Sequence, residues 1–186
     1  MYSQMWNQWF AKNLYEIYPD KIEVTHEPIL CDYYPRLNLW KFDSDLKPEE
    51  NRVLDKHMDH IEKVTDDKIY VEIGWQSIAG ISELYNRFSD RLKLIHLVRH
   101  PVNVAASLVT HNWYSSRAPE RAEKAELEPF DEGARLTYYS DIWNALSEFE
   151  KCLYYWTEVN FCALSIKNRF TDLPFYHLSS SNKCNT

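Results

Sequence analysis

Residues Leu92–Trp113 read LKLIHLVRHPVNVAASLVTHNW, and this stretch decides the fold prediction. Its first part, through Val98, is a near-continuous apolar run, which is the pattern of a β-strand buried on both faces. Arg99 ends the run, and Pro101 is a favourable first residue for a helix, in which apolar residues then recur at helical spacing. The stretch therefore predicts a strand, a charged tip and a helix, which places an arginine where open α/β sheets bind ligands.

The rest of the chain alternates strands and helices in the same way. We predict four strands, over Lys21–Thr25, Lys68–Ile73, Leu92–Val98 and Pro174–Leu178. We predict helices over Ser3–Tyr18, Pro48–Val64, Ser77–Phe88, Pro101 to about Asn112, Pro119–Glu128 and Asp141–Arg169. This alternation predicts an α/β fold with a parallel sheet flanked by helices. The carboxyl ends of the strands then meet at one edge of the sheet, which collects Glu27, Gly74, Arg99 and Ser179.

Two of the predicted helices carry clear apolar stripes. In the helix over Pro48–Val64 the stripe consists of Val53, Leu54, Met58 and Ile61. In the last helix it consists of Phe149, Leu153, Trp156, Val159, Ala163 and Ile166. His57 and His60, three residues apart on the first of these helices, lack an evident third ligand for a metal, so we place them on a solvated helix face.

Composition limits the class of protein. A chain of 186 residues with 45% hydrophobic residues fits one domain with a sizeable core. The net charge of −7 argues against a nucleic-acid partner, and no apolar run approaches the roughly 20 residues that cross a bilayer. The four cysteines form no CxxC pair and no metal-ligand spacing, so we expect no metal and a reducing, cytoplasmic compartment. An anchor upstream of Met1 would change that compartment to the Golgi lumen.

The segment Arg99-His-Pro-Val-Asn-Val-Ala-Ala-Ser107 resembles the motif by which sulfotransferases hold the 3′-phosphate of PAPS (3′-phosphoadenylyl sulfate), the sulfuryl donor. The resemblance extends to Thr25–Pro28 and to the aromatic helix near Trp156, and so covers most of residues 1–186 as a single partial domain. It implies a P-loop NTPase-like sulfotransferase core, PAPS as co-substrate without a metal, and Arg99 and Ser107 as cofactor-binding residues. The alternative is an arginine paired with a carboxylate and a serine bonded to its own helix backbone.

The family also carries a glycine-rich phosphate loop near its amino terminus, and this sequence contains no such loop. Its three glycines are Gly74, Gly80 and Gly133, and the segment from Gly74 to Ser82 has the wrong spacing and no lysine before its hydroxyl residue. We interpret that segment as a strand-to-helix turn. The resemblance thus implies a core that is incomplete at both ends, and we expect the full-length parent to be an enzyme and this chain alone to be inactive.

A proton acceptor for the substrate is predicted beside the first strand. Sulfuryl transfer needs a base near the acceptor, and the resemblance assigns that role to Glu27 or to its neighbour His26, of which only one can face the site. The acceptor, a hydroxyl or an amine, is left open, as is the oligomeric state. The alternative function is a non-catalytic remnant that binds nucleotide or serves in interaction. A small kinase is disfavoured, because no Gly-Lys-Ser/Thr loop or aspartate pair for Mg²⁺ is present.

Overall fold

The computed structural model describes residues 11–26, 48–74, 76–117, 126–131 and 133–180. The chain divides into two compact units, Met1–Arg87 and Phe88–Thr186. Each unit contains a pair of parallel β-strands together with helices, so the predicted α/β fold with parallel strands flanked by helices is confirmed. Among the described residues the four strands form two pairs rather than one continuous ladder.

The first unit is built on the parallel pair β1 (Ile22–His26) and β2 (Ile69–Ile73), which run in register from Ile22 opposite Ile69 to His26 opposite Ile73. Helix α1 covers residues 11–17 of the described chain. Its Tyr15 hydroxyl accepts a hydrogen bond from the backbone N–H of Val24 at 3.0 Å, which ties α1 to β1.

Helix α2 (Pro48–Val64) has the predicted bounds, and all four residues of its predicted stripe are buried. The predicted helix over Ser77–Phe88 is divided into a 3₁₀ helix, Gln76–Gly80, and α3 (Ile81–Phe88). The break falls at Gly80, where the conformational freedom of glycine makes a continuous α-helix costly.

The second unit is built on the parallel pair β3 (Leu94–Arg99) and β4 (Phe175–Ser180), in register from Leu94 opposite Phe175 to Arg99 opposite Ser180. Helix α4 (Pro101–Thr110) follows β3 and packs against α5 (Glu148–Arg169). The expected helix over Pro119–Glu128 falls mostly outside the described residues, and its described end, residues 126–128, is not helical.

Strand β3 is not buried on both faces, so that prediction is wrong. The side chains alternate: His96 and Val98 are half-buried, whereas Ile95 is 59% and Leu97 is 68% exposed. The apolar residues opposite them on β4, Tyr176 and Leu178, are also exposed. A run of apolar residues does not by itself show which face of the strand is covered by another secondary-structure element.

Helix α5 begins at Glu148 and not at Asp141, because Ser147 is its N-cap. The Ser147 hydroxyl accepts the N–H of Glu150 at 3.3 Å, and the Glu150 carboxylate accepts the N–H of Ser147 at 2.8 Å, which completes a capping box. Residues Thr137–Ala145 form a separate 3₁₀ helix. The predicted stripe is also shifted: Phe149, Leu153, Trp156 and Val159 are half-buried. The buried residues of α5 are Cys152, Tyr154, Tyr155, Glu158, Cys162, Ala163 and Ile166.

Candidate functional site

The chain turns from β3 into α4 within a single residue. His100 adopts φ −55° and ψ 127°, so its backbone is outside the helix, and Pro101 is the first helical residue. The His100 carbonyl oxygen accepts the N–H groups of Asn103 and Val104, both at 3.1 Å. A proline is well suited to this position, because the first N–H groups of a helix have no partner within the helix. Arg99 is therefore held immediately before a helix amino terminus, as the sequence predicts.

The backbone of Arg99 is fixed by helix α5. The indole Nε1 of Trp156 donates to the Arg99 carbonyl oxygen at 3.1 Å. This bond positions the end of β3 without using the guanidinium.

Arg99 is half-buried as a residue, and its guanidinium carries no ion pair with the described residues. Alternation along β3 puts Arg99 on the sheet face of Ile95 and Leu97. The opposite face holds His96, which bonds to Asn160 of α5. The alternative role of Arg99, as the partner of a carboxylate, thus finds no support within the described chain.

Ser107 is the seventh residue of α4 and is half-buried. It lies about 200° around the helix from Ala105, which is fully buried in the helix that packs on α5. The Ser107 hydroxyl makes no hydrogen bond with the described residues, although its carbonyl oxygen accepts the Thr110 hydroxyl at 2.7 Å. Arg99 and Ser107 thus both have side-chain donors that the described chain does not use.

The predicted base lies in the first unit. His26 is the last residue of β1, opposite Ile73, but its side chain and all of Glu27 lie outside the described residues. The predicted gathering of Glu27, Gly74, Arg99 and Ser179 at one sheet edge stays a prediction, because Glu27 lies outside the described residues and the others belong to two different units. Gly74 follows β2, whereas Arg99 and Ser179 belong to the pair β3 and β4.

Sequence reasoning missed a polar cluster around Glu72 in the first unit. Glu72 Oε2 lies 2.7 Å from His57 Nε2 and accepts the Tyr70 hydroxyl at 3.2 Å, and Oε1 accepts the Ser77 hydroxyl. His57 is fully buried, so its placement on a solvated face was wrong, whereas His60 is exposed as expected. The Nδ1 atom of His57 has no partner among the described residues. Burial, followed by the charge of Glu72, raises the pKa of Tyr70 above its ordinary value.

This cluster ties α2, β2 and the turn after β2 together through one carboxylate. A signal was available in the sequence, since Glu72 interrupts an otherwise apolar strand. Such a residue usually needs partners when it is buried.

Comparisons with protein-family models, with curated proteins and with solved structures find no match to this chain. None of the helices that the structure describes has the length and apolarity needed to cross a membrane.

Proposed function

We propose that this chain is a sulfotransferase-like protein, with a P-loop NTPase-like core, whose full-length parent moves a sulfuryl group from PAPS to an acceptor hydroxyl or amine. The observation that supports it is Arg99, a half-buried residue at the strand–helix junction whose guanidinium has no carboxylate partner in the described chain. The ligand that we propose for this arginine, the 3′-phosphate of PAPS, comes from the resemblance of Arg99–Ser107 to the family's 3′-phosphate motif.

The chemistry of the two side chains suits a phosphate monoester. A guanidinium is planar and can donate to two phosphate oxygens at once. The amino terminus of α4 adds the positive end of a helix dipole, which favours an anion. The Ser107 hydroxyl supplies a further neutral donor from the same helix. In this proposal, Arg99 provides most of the 3′-phosphate affinity and Ser107 adds a smaller part.

The transfer step needs a base at the acceptor. The acceptor O–H or N–H gives its proton to the base, its oxygen or nitrogen bonds to sulfur, and the bond from sulfur to the phosphate oxygen breaks. Adenosine 3′,5′-bisphosphate leaves. The resemblance assigns the base to Glu27, with His26 as the alternative.

Calorimetric titration with adenosine 3′,5′-bisphosphate tests the proposed phosphate site. We expect Arg99→Ala to weaken binding about 10–100-fold and Ser107→Ala about 2–10-fold, the ranges for hydrogen bonds to a charged and a neutral donor. AMP, which lacks the 3′-phosphate and so every contact to it, should bind the wild-type protein at least as weakly as the bisphosphate binds Arg99→Ala. Arg117→Ala removes an exposed arginine of the same unit and serves as the control. Unchanged affinity in Arg99→Ala, or equal affinity for AMP, would contradict the assignment.

Labelled PAPS separates catalysis from binding. We expect the 186-residue chain to bind nucleotide without transferring sulfate, because the sequence supplies no glycine-rich loop for the 5′-phosphosulfate. In a parent protein that carries this loop, Glu27→Gln should lower turnover about 10²–10⁴-fold and leave bisphosphate affinity unchanged. Full turnover in that variant would move the role to His26 or dismiss both residues as the base. Binding without turnover in the parent would favour the non-catalytic alternative.

A further inference from the structure

Two histidines face each other across β3 and β4. His96 and His177 are direct partners in the parallel register, and their Nδ1 atoms are 3.2 Å apart. The ring centroids lie 5.0 Å apart, with the planes inclined at 70°. His96 is half-buried, whereas His177 is exposed. The half-buried imidazole of His96 and the exposed imidazole of His177 thus lie side by side on two paired strands.

The hydrogen bonds around His96 determine which of its nitrogens carries the proton. The Asn160 amide nitrogen donates to the carbonyl oxygen of Trp156 at 2.7 Å, which fixes the orientation of the amide. Asn160 Oδ1 therefore faces His96 Nε2, at 2.9 Å, and can only accept. His96 Nε2 must carry the hydrogen, so the Nδ1 lone pair of the neutral ring points towards His177.

We propose that His96 and His177 bind a divalent transition-metal ion of the Zn²⁺ or Cu²⁺ class through their Nδ1 atoms. Nitrogens of imidazole ligands lie about 2.0–2.1 Å from such an ion. Two nitrogens that are 3.2 Å apart reach one ion at that distance with an angle of about 100° at the metal, between square-planar and tetrahedral geometry. The spacing therefore suits chelation as well as a hydrogen bond.

The surroundings of His96 are those of a metal ligand. Its second nitrogen donates to the Asn160 oxygen, the type of outer contact that orients ligating histidines. Burial lowers the pKa of His96, an effect that the Asn160 bond opposes and that the neighbouring His177 reinforces. The imidazole is thus neutral, as a ligand must be, over a wider pH range.

Binding changes one tautomer and releases no net proton from a neutral pair. In the empty pair the His177 Nδ1–H donates to His96 Nδ1. On binding, that hydrogen moves through solvent to the exposed His177 Nε2, and the freed Nδ1 lone pair turns to the ion. The described residues contain no group of three or more histidine, cysteine or acidic side chains arranged to hold a metal, so water fills the other positions. Such a site is exchangeable and, by ligand preference, favours Cu²⁺ over Zn²⁺.

Titration of the untagged full chain with copper sulfate and with zinc chloride, followed by calorimetry, tests the site. Electron paramagnetic resonance of the copper form should show coupling to two nitrogens. Asn160→Leu should weaken binding about 10–100-fold, the usual cost of losing an outer contact, and His177→Ala should weaken it more. His60→Ala, which removes an exposed histidine of the other unit, should leave affinity unchanged.

His177 is exposed, so its replacement tests the proposal without disturbing a buried contact. Undiminished copper affinity in His177→Ala, or a wild-type spectrum with a single coupled nitrogen, would overturn the proposal. So would an equal loss of affinity in His60→Ala. None of these results depends on nucleotide binding or on sulfuryl transfer.

Discussion

The side chain of Trp156 binds the main chain of Arg99, the last residue of β3: the indole Nε1 donates to the carbonyl oxygen of Arg99 at 3.1 Å. The same helix, α5, bonds β3 again through Asn160 and His96. Because neither bond uses the guanidinium, α5 places the arginine while leaving its five donors for a ligand. The helix is therefore the support of the proposed phosphate site.

Replacing Trp156 by phenylalanine tests that support. The variant keeps an aromatic ring but loses the N–H donor, which leaves the Arg99 carbonyl oxygen without this partner. We expect the free energy of unfolding to fall by about 0.5–1.5 kcal/mol, together with a loss of bisphosphate affinity. Urea unfolding and calorimetry measure the two effects. Phe161→Leu, at an exposed position of the same helix, should change neither. Unaltered stability and affinity in Trp156→Phe would show that the bond does not position Arg99.

The buried pair of His57 and Glu72 should dominate the stability of the first unit. Glu72→Ala leaves His57 and Tyr70 without their acceptor, and each buried donor that loses its partner in this way costs about 1–3 kcal/mol. The partly exposed pair of Glu23 and Lys68 provides the comparison, because Glu23→Ala should cost at most about 1 kcal/mol. Urea unfolding of both variants gives the difference. Equal costs would contradict a structural role for the Glu72 cluster.

A fully buried carboxylate, that of Glu158, organises the start of the 3₁₀ helix before α5. Glu158 Oε1 accepts the backbone N–H groups of Arg135 at 2.9 Å and of Leu136 at 2.8 Å. Glu158→Ala leaves both N–H groups without an acceptor, which should lower the free energy of unfolding by about 1–3 kcal/mol for each group. Glu158→Gln keeps one carbonyl oxygen and should cost less. Hydrogen exchange at these two amides should accelerate in the alanine variant, and identical exchange in all three proteins would rule out this anchoring role.

The capping box of α5 predicts a pH dependence. The side-chain and then the backbone hydrogen bonds from Ser147 lower the pKa of Glu150. A carboxyl group with a lowered folded-state pKa stabilises the protein above its ordinary pKa, and this stability is lost as the pH falls through the folded-state value.

We therefore expect Ser147→Ala to lower the melting temperature by about 2–4 °C at pH 7, the effect of roughly 1 kcal/mol in a chain of this size. Below about pH 4.3, the ordinary glutamate pKa, the difference in melting temperature between the wild type and the variant should become smaller. Thermal melts from pH 7 to pH 3 measure it. The exposed Ser116 supplies the control substitution, Ser116→Ala. A gap that is constant over this range would disprove the linkage to Glu150.

The elements that were best predicted from the sequence have both a regular spacing of apolar residues and recognisable residues at their ends. Helix α2 has a regular apolar stripe and Pro48 at its first position, so its bounds were found to the residue. The start of α5 was missed although Ser147 and Glu150 form a recognisable capping box, because apolar spacing continues upstream through the 3₁₀ helix and its buried Trp143. Periodicity alone does not distinguish an α-helix from a preceding 3₁₀ helix.

The candidate site was predicted in part for a similar reason. Arg99 and Ser107 could be placed because a strand, a proline and a helix follow one another directly in the chain. The partners of Glu72 come from an element 15 residues away and from a later turn, and no local pattern reveals such pairings. The pairing of His96 with His177 spans 81 residues and depends on the register of two strands.

The two buried thiols on α5 can be used to detect local opening of the packing around this helix. Burial raises the pKa of Cys152 to about 12 and that of Cys162 to about 11, and both side chains are fully enclosed. The thiolate is the nucleophile that attacks an alkylating reagent and displaces its leaving group, so neither cysteine reacts while α5 stays packed. Cys31 and Cys184 lie outside the described residues. In a variant without those two cysteines, the rate of labelling by an alkylating reagent would measure how often the buried side of α5 opens to solvent.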